Sequence, residues 1–226
     1  MKILDLFCGA GGAGMGYHRA GFKVEGVDLN NQRHYPFAFT QADALKYLRE
    51  SWLVFKFDAI HASPPCQSYS ITKHTHSVEY PDLMEPVREL LEATRLPYVI
   101  ENVPGAPMHN PVTLCGTMFG LTATDTDGTK LHLKRHRLFE SNIPLGDPPP
   151  CRCKEMKREG WLIGGVYGGG SPTREAAAIR KGGYTPPIPV RRELMQMDWG
   201  TIKQLSEAIP PAYTEWVGKR LIEHLA

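Results

Sequence analysis

No run of about 18 or more apolar residues occurs in the 226-residue sequence, which argues against a membrane-spanning helix. A secretory leader is missing too: the chain enters directly into Lys2-Ile3-Leu4-Asp5-Leu6, so an intracellular location is expected. Cysteine is scarce and odd in number, at positions 8, 66, 115, 151 and 153, which is unlike a secreted disulfide framework. Cys151-Arg152-Cys153 has the spacing of half a zinc site. With no second cysteine pair nearby in sequence it is expected to bind nothing, and no metal is expected. A large charge of one sign is also absent, the net being only +2, so total charge does not point to nucleic acid.

What is present is a 42% hydrophobic composition, enough for one substantial core and a small appended lobe. The charge is unevenly spread. From Asn142 to Glu193 there are nine Lys and Arg against five Asp and Glu, a local net of +4 that leaves −2 for the rest. That concentration favours phosphate contact over an ordinary solvated surface. The stiff Asp147-Pro148-Pro149-Pro150 and the dense glycine and proline beyond it mark 142–189 as a separate lobe, too short for a large core of its own.

The N-terminal stretch reads as strand, glycine-rich turn and helix. Lys2 to Phe7 is apolar, glycines follow at 9, 11, 12, 14 and 16, and a helix is expected to Ala20. Glycines there let the backbone approach a ligand, and free amides opening a helix favour a polar or anionic group. A second strand, Lys23 to Val27, ends at Asp28-Leu29, where an acid can accept hydrogen bonds from ribose hydroxyls. Asp43 either meets a ligand or N-caps a helix through Leu45 and Leu48, and the two roles are compatible. Another helix is expected to open at Asp82 with Leu83, Val87, Leu90 and Leu91 on one face. The buried strand Leu96 to Ile100 delivers Glu101-Asn102 at its end. Further helices are expected over Val190 to Trp199 and, after Pro210-Pro211, through Trp216, Val217, Leu221 and Leu225.

The chain is organised around Ser63-Pro64-Pro65-Cys66-Gln67-Ser68. Each proline fixes its own φ and pushes the preceding residue out of the helical region, so the thiol of Cys66 is held on a rigid corner. A held cysteine suits nucleophilic catalysis, although a lone cysteine is more often a small buried hydrophobe. The polar stretch after it, through Tyr80, reads as a loop whose Ser70, Lys73 and histidines suit phosphate contact.

DLFCGAGG at 5–12, VEGVDLN at 24–30, SPPCQSYS at 63–70, ENVP at 101–104 and KRHRLFES at 134–141 occur in this order. Their joint occurrence resembles the cytosine-C5 DNA methyltransferases, over nearly everything except 142–189. The resemblance implies an α/β fold: a Rossmann-like sheet of the S-adenosylmethionine-dependent methyltransferases with helices on both faces, plus a small irregular recognition lobe. Its implied organisation is a catalytic and cofactor-binding part at 1–141, a target-recognition lobe at 142–189, and a segment at 190–226 that folds back beside the first motif.

The same resemblance implies S-adenosylmethionine held by Phe7, Gly9, Gly11, Asp28, Leu29, Asp43, Ala44, Pro65 and Ala208. It makes Cys66 the nucleophile, Glu101 the group facing the ring nitrogen, and Arg135 and Arg137 the cations beside them. Gln67, Ser68, Ser70, Lys73, Asn102, Lys157 and Arg158 would contact the substrate, expected to be double-stranded DNA with its target base flipped out. A monomer is expected, and no membrane partner. Two features depart from the pattern: Leu133 stands where a glutamine is usual, and Ser206-Glu207 replaces a Gly-Asn. A tRNA cytosine-C5 methyltransferase, which shares the Pro-Cys-Gln chemistry, and a silent DNA-binding relative are the competing readings.

Overall fold

The structure is a computed structural model that describes residues 1–50, 52–65, 69, 82–166, 173 and 183–226. Its first strand, β1 (Lys2–Leu6), is buried on both faces: Ile3 enters one apolar cluster, Leu4 and Leu6 the other. A strand of that kind needs cover on each side, the condition met by parallel sheets flanked by helices.

β2 (Lys23–Asp28), β3 (Ala38–Gln41), β4 (Ala59–Ala62) and β5 (Tyr98–Asn102) run parallel with β1. After β5 come β6 (Val112–Leu114), β7 (Thr122–Thr124), β8 (Lys130–His132) and β9 (Arg137–Ser141). The main sheet has seven strands in the order β3-β2-β1-β4-β5-β9-β6, with β9 antiparallel to both neighbours. Helices α1 (Gly12–Ala20), α2 (Ala44–Glu50) and α3 (Met84–Thr94) alternate with the early strands. Later come α4 (Cys153–Arg158), β10 (Leu162–Ile163), α5 (Ile188–Met195), α6 (Ile202–Glu207) and α7 (Pro211–Leu225).

The two clusters define the layers. Tyr17 of α1 and Tyr213, Val217 and Leu221 of α7 pack with Ile3, Val24 and Val99 on one face. Leu48 of α2 and Val87 and Leu91 of α3 pack with Leu4, Val27, Ile60 and Ile100 on the other. This is the α/β, Rossmann-like arrangement expected from the sequence.

α3 starts two residues later than the sequence pattern suggests. Its N-cap is Leu83 rather than Asp82, whose carboxylate lies one residue earlier and accepts from the Met84 N–H at 3.0 Å. Its inner face carries a charge the apolar pattern hides: Arg88, 2% exposed, forks onto Glu140 of β9 at 2.7 and 2.9 Å. α5 spans less of the expected 190–199 helix, ending before Gln196, which adopts a left-handed φ of 54°.

A second sheet of three strands, in the order β10-β8-β7, joins the stretch 142–189 to the segment before it. Gly164 and Tyr184 extend it by a bridge. Among the described residues no helix is long and apolar enough to cross a membrane.

Candidate active site

Because β1 to β5 are parallel, the residues leaving their C-terminal ends share one edge of the sheet, the edge at which open α/β folds bind ligands. β9 runs the other way, so it is its first residue, Arg137, that lies at this edge beside the end of β5. Phe7 to Gly12, Asp28-Leu29, Asp43-Ala44, Ser63 to Pro65, Glu101-Asn102 and Arg137 are thereby gathered from six strands.

At the end of β1 the chain turns through two positive φ values, 56° at Phe7 and 48° at Gly9. A side chain at Gly9 would meet nothing within 4 Å, so this position faces open space. The Gly9 N–H donates to Asp28 Oδ2 at 3.0 Å, and the Asn30 N–H donates to Oδ1 at 2.8 Å. Asp28 thus fixes the glycine turn through one bond to each carboxylate oxygen, and Leu29 beside it is 64% exposed. Asp43 caps α2, accepting from the Lys46 N–H at 2.8 Å, which bears out the capping half of its sequence reading.

The other glycines serve packing. A Cβ on Gly12 would lie 2.3 Å from Ile209 O, and one on Gly16 would lie 2.0 Å from Thr214 Oγ1. Both contacts are with the C-terminal segment, whose Thr214 hydroxyl also donates to Ala13 O at 2.8 Å. Ala208 lies against Gly12 for the same reason. Sequence reasoning missed Tyr35, whose ring fills the space left by Gly11 and Gly26 and whose hydroxyl donates to buried Asp5 at 3.0 Å. The signal was available in those side-chain-free positions flanking an aromatic. Burial pushes Asp5 up to about 8, so at neutral pH its carboxyl holds a proton.

Cys66, Gln67, Ser68, Ser70 and Lys73 lie outside the described residues. The approach to Cys66 is described, and it is anchored: the Asn102 side-chain amide donates to Pro64 O at 3.1 Å, and its own oxygen accepts from the Val103 N–H at 2.8 Å. Ser63 donates to Phe7 O at 3.3 Å, tying the corner to the glycine turn. Pro64 is buried and Pro65 exposed.

Glu101 is 5% exposed. Burial raises its pKa above the usual carboxylate value, and Arg137 and then Arg135 pull it partly back. Arg137 Nε lies 3.1 Å from Glu101 Oε1, an ion pair whose donor is not aligned as a hydrogen bond, so the carboxyl keeps acceptor and donor capacity. The paired arginines separate in role. Arg135 is buried and donates to Ser206 O at 2.6 Å and to Val166 O at 3.4 Å, bracing backbone from two later segments. Leu133, in place of the usual glutamine, is buried and packs on Gly116.

Lys157 and Arg158 are exposed on α4. At the head of α4 the cysteine reading changes. Cys151 and Cys153 lack a second pair in sequence, yet the fold brings Cys115 and His136 to them, and all four donor atoms lie within 4.8 Å of one another.

The family model for C-5 cytosine-specific DNA methylases matches residues 1–114. Among curated proteins, the chain is 30% identical to the Type II methyltransferase M.FnuDI of Fusobacterium nucleatum over 115 residues, 46% of this chain and 33% of that protein. It is 33% identical to the Type II methyltransferase M.AgeI of Thalassovita gelatinovora over 84 residues, 31% of this chain and 20% of that protein. The matches therefore span a third or less of these relatives' length. In fold the chain is similar to a putative DNA modification methyltransferase encoded within an E. coli prophage, with a TM-score of 0.61, 15% identity, and 100% of this chain and 99% of that one covered. It is also similar to S. pombe Dnmt2, with a TM-score of 0.62, 12% identity and coverage of 100% and 99%. With its glycine turn, its strand-end acids and a buried glutamate opposite an arginine on one sheet edge, the chain belongs to the C-5 cytosine-specific DNA methylase family.

Proposed function

We propose that the protein transfers a methyl group to carbon 5 of cytosine in double-stranded DNA, through a transient bond between Cys66 and carbon 6 of a flipped-out base. The observation that carries this reading is Glu101: a buried carboxyl biased toward its protonated form, beside Arg137, on the strand next to the one that leads into Cys66.

Carbon 5 of cytosine is too electron-poor to attack an electrophile unaided. Addition of the Cys66 thiolate at carbon 6 makes carbon 5 enamine-like, provided that the developing charge at N3 meets a proton or a strong donor; once carbon 5 is methylated, loss of its hydrogen as a proton to water and expulsion of the thiolate from carbon 6 restore the ring. Burial biases Glu101 toward the neutral form that can supply such a proton at N3, against the pull of Arg137 and Arg135. Arg137 offers fixed forked donors to the base oxygen and to the Glu101 carboxyl. Asn102 sets the approach to Cys66 through Pro64, and Arg135 positions the backbone at Val166 and Ser206.

S-adenosylmethionine, when bound, supplies the electrophilic methyl group. The residues present fit it. Gly9 faces open space, each Asp28 oxygen accepts only one bond and has capacity left for ribose hydroxyls, and Leu29, exposed at the end of β2, offers an apolar surface for the adenine ring. Phe7, Asp43, Ala44 and Pro65 follow strand ends at the same edge, whereas Tyr35 covers Gly11 and Ala208 packs on Gly12. Residues 142–189, with Lys157 and Arg158, would carry the DNA-reading lobe.

The test is to incubate the purified chain with labelled S-adenosylmethionine and either duplex DNA or tRNA, and to digest the product to nucleosides for mass spectrometry. The reading expects 5-methyl-deoxycytidine. Product on tRNA alone would overturn the DNA assignment, and no product on either would overturn the activity.

A further inference from the structure

We propose that Cys115, His136, Cys151 and Cys153 form a structural zinc site that joins the start of the 142–189 stretch to the active-site edge. The inference does not depend on the proposed methyl transfer.

The donor set is three thiols and one imidazole. In a tetrahedral zinc site with bonds of about 2.0–2.3 Å, neighbouring donor atoms stand roughly 3.3–3.8 Å apart. Cys115 Sγ and Cys153 Sγ are 3.4 Å apart, and Cys151 Sγ and His136 Nε2 are 3.5 Å apart. The Cys115–Cys153 spacing is not a disulfide, whose sulfurs sit at about 2.05 Å, and all five cysteines cannot pair because their number is odd. Three soft thiolates and an imidazole within 4.8 Å of one another select zinc over the oxygen-loving cations.

The surroundings are those of a built site. Thr117 Oγ1 stands 3.5 to 3.6 Å from Cys115, Cys151 and Cys153 Sγ alike. It accepts from the Arg152 N–H at 3.2 Å, which turns the hydroxyl proton toward the sulfurs, as outer-shell donors to thiolates do. Cys115 is fully buried between β6 and the turn that follows, whereas Cys151 is exposed, so the site has an inner wall and an entry side. His136 is the residue between Arg135 and Arg137. A metal on its ring would fix the backbone that carries Arg137 toward Glu101, and the chain after Pro150 would be clamped to the main sheet at the same point.

The test uses the full chain, purified under reducing conditions without a chelator, and reads metal content and cobalt spectra. The expected result is about one zinc per chain, and, after exchange with Co²⁺ alone, strong thiolate-to-cobalt charge transfer with tetrahedral ligand-field bands. Cys151→Ser, at an exposed position, should leave the fold intact by circular dichroism, reduce the charge-transfer intensity and weaken zinc binding by more than the roughly 10–100-fold that outer-shell changes cost. Thr117→Val should keep the cobalt spectrum but loosen binding within that range. Absence of zinc together with a featureless cobalt titration would overturn the proposal, as would iron in place of zinc, or a cobalt spectrum that Cys151→Ser leaves unchanged.

Discussion

Replacing Arg88 by methionine tests how the region behind the active site is held. Arg88 and Glu140 have side chains only 3% and 4% exposed, joined by two bonds of 2.7 and 2.9 Å. The pair also holds backbone: Arg88 donates to Pro107 O at 2.8 Å, and Glu140 accepts from the His109 N–H at 2.7 Å. Arg88→Met keeps most of the buried volume but leaves a carboxylate uncompensated in the interior. Breaking one side of such a pair costs about 3–5 kcal/mol. In a protein of this size that lowers Tm by roughly 6–20 °C and the urea midpoint by roughly 1–2 M. Arg88 holds Glu140 ionised against its burial, which alone would raise its pKa. Without that cation the carboxyl takes up a proton more readily in the folded state, so the variant's deficit should shrink toward pH 5 and grow toward pH 8. The double variant Arg88→Met, Glu140→Leu should recover more than half of the loss, because no buried charge remains, although the His109 and Pro107 backbone groups still lack partners. Urea unfolding of the four proteins closes the cycle. If the single variant loses under about 1 kcal/mol, or if the double loses the full sum of the two singles, the pair is not the buried unit described.

Further outcomes can be measured independently. Cys66→Ser should bring methylation to background while calorimetry shows retained cofactor binding, and normal product from it would exclude the covalent route. Asp28→Ala removes the acceptor for the Gly9 and Asn30 amides and should raise the cofactor dissociation constant about 10–100-fold, as expected for charge-assisted bonds; unchanged affinity would refute its role. Asp5 keeps its proton in the folded state up to about pH 8 but in the unfolded chain only to 3.8. Its contribution is therefore complete below about pH 4 and is lost as pH rises to 8, with a slope of up to about 1.4 kcal/mol per pH unit. Asp5→Asn should flatten that slope, and an identical pH profile would show the group to be ionised. Lys157→Ala with Arg158→Ala should weaken DNA binding across sequences and reduce the salt slope by about one unit for each phosphate no longer neutralised; a changed target sequence with an unchanged slope would place base recognition there.

Local rules made much of this legible. The apolar runs ending at Leu6, Ala62 and Ile100 are strands buried on both faces, and the residues after them share one edge of the sheet by chain direction alone. Asp43 capping α2 and α7 starting at Pro211 follow from side-chain chemistry within a few residues. What escaped depends on distant partners. Gly12 and Gly16 look like ligand-facing glycines until the C-terminal segment is folded onto them. Arg88 reads as a surface charge until Glu140, 52 residues away, is beside it. Cys151 and Cys153 look unsupported because Cys115 and His136 come from other segments, and the difference between Arg135 and Arg137 requires knowing that Ser206 lies within reach of one of them.

The union of α1 with α7 has a consequence for synthesis. Ala13 and Thr214, which share a hydrogen bond, are 201 positions apart. At about 5–20 residues per second, the ribosome needs roughly 10–40 s after making the glycine turn to supply the helix that seats on it. During that interval the bare faces of Gly12 and Gly16 and the ring of Tyr17 await a partner. Its own chain order thus leaves the N-terminal helix without its cover until translation has passed Thr214.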